Sequence, residues 1–107
     1  MSESSSGKTT AIISYITIVG CLIAITMNIE PKNAFARFHI RQAFGIHLLY
    51  HSFAFFLNYS GVNSGWIVLY AVYFLCWVYG LLGAIGQKKQ LLPVLGPYFQ
   101  KWFTFIP

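Results

Sequence analysis

Acidic side chains are almost missing from this chain. It has no aspartate and two glutamates, Glu3 and Glu30, against seven lysines and arginines in 107 residues. There is no carboxylate pair, no Ser/His/Asp set and no phosphate-cradling glycine loop, so nothing in the sequence supports an enzyme. Charge of either sign is scarce too, at 8% of residues, where soluble domains carry about a quarter. A water-soluble domain that is 57% hydrophobic and 19% aromatic would expose too much apolar surface to stay dispersed. The two cysteines, Cys21 and Cys76, both lie inside apolar runs and imply neither a disulfide framework nor a CxxC redox pair. The first residues lack a basic region and no small-residue cleavage site follows them, so a cleavable signal peptide is not expected.

What the chain has is apolar length. Segments of about twenty apolar residues predict three membrane-crossing helices, over 10–27, 35–59 and 66–86. Asn28 to Asn33 forms a polar connection with Pro31 in it, and Ser60 to Gly65 (SGVNSG) is a turn built from residues that tolerate turn backbone angles. Three such runs cannot close a β-barrel. Beyond Leu91, Pro93, Gly96 and Pro97 leave too short a run to span. Around Tyr98 to Ile106, Phe99, Trp102, Phe103 and Ile106 share one side, which predicts an amphipathic interfacial helix, with a partial fourth span as the alternative. The expected fold is therefore an all-α integral membrane protein: three transmembrane helices plus a C-terminal interfacial helix. Residues 1–9 read as a disordered tail and 10–107 as a single helical membrane domain.

The basic residues do not form a nucleic-acid stripe, so no nucleic-acid partner is expected. They flank the apolar runs instead. With three spans, Lys32, Arg37, Arg41, Lys88, Lys89 and Lys101 fall on one side and Lys8 alone on the other. The positive-inside rule then sets the N-terminus outside and the C-terminus in the cytoplasm.

The second run carries groups that hydrocarbon should reject: Arg37, His39, Arg41, Gln42, His47 and His51. Ionisable groups inside membrane helices mark function by default. At about 100° per residue, Arg37, Arg41, His47 and His51 share one arc, with Ser52 at its edge, while His39 and Gln42 point elsewhere. The arginines suit lipid anchoring, or a docking patch for anionic headgroups or acidic partner segments. His47 and His51 lie about 15 and 21 Å along the helix from Arg37, too deep for snorkelling. Their i, i+4 spacing would suit a metal, and Cys21 and Cys76 fall at similar depth, so a Cys/His site is conceivable. The plainer explanation is neutral histidines bonded to Tyr or Ser across a bundle. Tyr70 and Tyr73 sit on one stripe of the third run, and their hydroxyls need partners, for which His47, His51 and Ser52 are candidates. No cofactor is expected.

Phe35, Arg37, Phe38, His39, Gln42 and Ala43 resemble the motif of a family of small prokaryotic helical membrane proteins related to the twenty-kilodalton chloroplast inner-envelope import translocon component. Gly86-Gln87-Lys88-Lys89 followed by Leu92-Pro93-Val94-Leu95-Gly96 is similar to that family's post-span segment. The resemblance covers roughly residues 10–106. It implies a multi-pass protein of the bacterial cytoplasmic membrane, acting in protein translocation or complex assembly as a homo-oligomer or part of a larger complex. Three thin helices cannot alone enclose a wide channel, so conduction would require partner chains. From another class, the residues alone also allow a small transporter or a metal- or haem-binding subunit built on His47 and His51.

Overall fold

A computed structural model describes residues 3–29, 32–61, 63–93 and 95–106. Five helices follow one another: α1 (Glu3–Ile16), α2 (Ile18–Met27), α3 (Ala34–Ser60), α4 (Gly65–Ile85) and α5 (Leu95–Trp102). No strand occurs among the described residues.

The expected first span is not one helix. Thr17 takes an extended conformation (φ −152°, ψ 176°) and its Oγ accepts the Gly20 amide at 3.1 Å, capping a new helix. A cap of this kind ends one helix as it starts the next. The two arms then fold back on each other. A Cβ on Gly20 would run into the Ile13 carbonyl, so only glycine permits this close approach. At the far end, Asn33 Nδ2 donates to Ser6 Oγ (2.9 Å), while Asn33 N donates to Asn28 Oδ1 (3.0 Å). Residues 6 and 28 thus meet at a single residue, Asn33. Residues 3–28 form a helical hairpin whose arms are α1 and α2, and Lys8 lies at the same end as Lys32. The sequence had put Lys8 opposite the other basic residues; the hairpin brings all seven to one end of the molecule.

α3 is the central element. Asn33 Oδ1 accepts the Ala36 amide at 2.9 Å to start it, and Gly61, at φ 75°, ends it in the left-handed conformation that favours glycine. It is about 40 Å long at the usual rise. α4 returns antiparallel along it. Of the described helices, α4 alone is both long and apolar enough to cross a bilayer, so by length and composition the three expected spans reduce to one. α3 fails on its polar residues.

α5 is seated on α3: Phe99 is buried against Gly45, where a Cβ would collide with the ring. Phe103 and Phe105 meet Phe44 edge-on, with centroids 4.9 and 6.1 Å away. Trp102, which the sequence grouped with Phe99, is exposed instead.

The packing is uneven along the molecule, whose extents are 50 × 23 × 21 Å. Tyr15, Phe35, Ile40, Phe99 and Ile106 form the core at the end that carries the charges. Between Leu48 and Tyr79 no described residue is buried. Residues 42–87 contain no charged side chain. One half is a packed five-helix body; the other is a bare two-helix hairpin.

Candidate functional site

The polar residues of α3 converge on backbone. His39 Nε2 lies 2.8 Å from the Lys88 carbonyl, which can only accept, so Nε2 carries the proton. Its Nδ1 then accepts from the Tyr15 hydroxyl at 2.6 Å. Gln42 Nε2 donates to the Tyr15 oxygen and to the Gln90 carbonyl, both at 3.0 Å, and Gln42 Oε1 accepts the Leu92 amide at 2.8 Å. His39 and Gln42 together thus tie down the non-helical stretch 88–92. Gln90 adds a bond from its side chain to the Tyr79 carbonyl at 2.9 Å.

Two turns beyond His39, the same logic recurs. His47 Nε2 donates to the Ser14 carbonyl and its Nδ1 accepts from Tyr73, each at 3.0 Å. The indole of Trp77 donates to the Tyr15 carbonyl. Ser14 and Tyr15 belong to the last turn of α1, whose carbonyls lose their helical partners where Thr17 breaks the chain. An imidazole from α3 and an indole from α4 satisfy them. Arg41 does this for the C-terminal segment, with Nη2 3.2 Å from the Thr104 carbonyl and 3.1 Å from that of Ile106. Gln100 Nε2 returns a bond to the Phe38 carbonyl at 2.7 Å.

The residues singled out in the sequence therefore divide. His39, Gln42, His47 and Tyr73 join one internal network, and Arg41 reaches the turn that follows α5. Arg37 is half-buried at the charged end. His51, Ser52 and Tyr70 are exposed and do not join His47. Tyr50 stacks instead on Tyr73 and Tyr70, with centroids at 4.4 and 6.0 Å.

The metal alternative loses its geometry. Both nitrogens of His47 are committed, and His51 faces outward. The hairpin carries Cys21 down beside Ile40, where Sγ lies 3.8 Å from the carbonyl. That is about 10 Å along α3 from His47. Cys76 lines a separate apolar groove of about 300 Å³ with Ile46, Tyr50, Tyr73, Leu95 and Phe99. Among the described residues no group of three or more His, Cys, Asp or Glu is placed to hold a metal.

Tyr15, Ser14 and Gln90 are the members that sequence reading missed. Each acts across a contact that exists only once α1 turns back or the chain after α4 folds onto α3. Comparison with protein-family models, with curated proteins and with solved structures finds no match for this chain.

Proposed function

We propose that the protein is a non-enzymatic integral membrane protein of a bacterial cytoplasmic membrane, serving as a subunit or accessory factor of a membrane complex. One observation carries this reading: the polar side chains of α3 are spent on backbone groups left open at a helix break and along an irregular stretch. In water such groups bond to solvent. In hydrocarbon each open group costs several kcal/mol, so irregular backbone at membrane depth must be satisfied by protein. The absence of charged side chains from residue 42 to 87, with Phe53, Phe55, Phe56, Val68, Phe74 and Leu75 exposed there, supports the same reading.

On this reading α4 crosses the bilayer, and α3, which its polar residues exclude by composition alone, crosses beside it with His39, Gln42 and His47 turned onto protein partners. The α1–α2 hairpin and the chain after α4 enter from the charged end and turn back. All seven basic residues then face the cytoplasm and its anionic headgroups, as the positive-inside rule asks. The N-terminus is cytoplasmic, on the side opposite to the one three spans would give. Two helices cannot enclose a channel, so the translocation role implied by the resemblance of residues 35–43 would be exercised with partner chains or further copies.

Single cysteines at Lys8, Ser64 and Lys89, with Cys21 and Cys76 replaced by alanine, test this with a membrane-impermeant thiol reagent. Lys8→Cys and Lys89→Cys should react from the cytoplasmic side and Ser64→Cys from the other. Reaction of Ser64→Cys from the same side as Lys89→Cys would refute the two-span arrangement. Recovery of a lone monomer after extraction in mild detergent would refute the subunit role.

A further inference from the structure

The two ends of the molecule differ in width, and the difference falls at mid-length. The tip of the α1–α2 hairpin stops where the Ser14 and Tyr15 carbonyls meet His47 and Trp77, near the middles of α3 and α4. α5 stays in the same half, seated through Phe99 on Gly45, with Leu95 lining the same groove as Cys76 and Ile46. Below that level run parts of all five helices; above it run two. Each helix with its side chains is about 10 Å across.

The extra helices are dressed for hydrocarbon. Val19, Leu22, Ile23 and Met27 of α2 are exposed, although the arm is flanked by basic residues at its base. α5 shows Tyr98 and Trp102 outward, the aromatic types that favour the boundary between headgroups and acyl chains, and Phe105 just beyond it is exposed as well. Neither element can retreat into water without exposing these residues. Both are also held to α3, the hairpin through Tyr15 and Ser14 and α5 through Arg41 and Phe99.

From this shape we infer a second activity: the protein acts as a wedge that recognises and promotes membrane curvature, with the lipid bilayer itself as its ligand. The inference rests on the two-span reading above. Five segments displace lipid from the leaflet at the charged end and only two from the opposite leaflet. Packed protein is too stiff to even out the difference. The bilayer relieves the mismatch by curving so that the charged-end leaflet is convex. With the charged end in the cytoplasm, the membrane bulges toward the cytoplasm.

The test uses the full chain reconstituted into vesicles of one phospholipid composition, prepared both as small sonicated and as large extruded populations. Protein is allowed to distribute between them through detergent-mediated exchange, and an impermeant amine reagent reads which end faces out. All five lysines lie at the charged end, so labelling reports orientation directly. The wedge predicts roughly twofold or greater enrichment per lipid in small vesicles, since modest mismatch costs suffice to sort membrane proteins. It also predicts a rise in lysine labelling there. Equal density and equal labelling in both populations, with the chain still resistant to alkaline extraction, would overturn the wedge and leave the membrane reading standing. Release by alkaline extraction would overturn both.

Discussion

His51 and Gln42 show how differently two polar residues of one helix can be employed. Gln42 is fully buried and joins three partners, Tyr15, Gln90 and Leu92. Replacing it with leucine leaves a carbonyl and an amide open at once, so Gln42→Leu should destabilise the fold by roughly 2–4 kcal/mol. His51 makes no hydrogen bond among the described residues, and its ring meets that of Tyr50 at 5.2 Å. His51→Leu should change stability by less than about 0.5 kcal/mol. Thermal unfolding in detergent, followed by tryptophan fluorescence, measures both; equal losses would refute the division between the network and the outer face. The sequence shows that the tyrosines of α4 need partners and names His47, His51 and Ser52 as candidates. It cannot choose among them, because the choice depends on a rotation of α3 that is set by α1 and α5. Tyr15 is less legible still: nothing about a tyrosine in an apolar run says that it will join His39 to Gln42.

The helices themselves were unequally readable. The second and third apolar runs, 35–59 and 66–86, differ from α3 and α4 by a residue at each end, because the turn at 60–65 is written in glycine, serine and asparagine. The first run hides its turn. Thr17 is one polar residue in an apolar stretch, equally compatible with a continuous helix, and what bends the chain is the close approach at Gly20 and the meeting of Ser6, Asn28 and Asn33. Those are tertiary contacts. Spin labels at Lys8→Cys and Met27→Cys, in a background without Cys21 and Cys76, measure the outcome directly. A continuous helix would separate the two backbones by about 28 Å. The hairpin requires a clearly shorter distance, and a distribution centred at the longer value would refute it. The C-terminal helix was legible as amphipathic, yet its docking was not, since the space for Phe99 is opened by the absence of a side chain at Gly45, far away in sequence.

Across the whole molecule, the break at Thr17 has a consequence for how the protein is made. Neither hairpin arm has the roughly twenty apolar residues that a span requires, so the bent form of the first 28 residues has no stable transmembrane state of its own. The side chains that satisfy their broken backbone, His47 and Trp77, belong to helices that leave the ribosome later. On the two-span reading, insertion should therefore begin with α3 and α4, and the hairpin should enter afterwards by docking against them. The N-terminal segment would never be carried across the bilayer. A fluorescent domain that matures only in the cytoplasm, fused ahead of α1, should then be bright in cells, and so should the same domain fused after α5. A dark N-terminal fusion beside a bright C-terminal one would mean that the first segment is exported and that the order of assembly is the reverse.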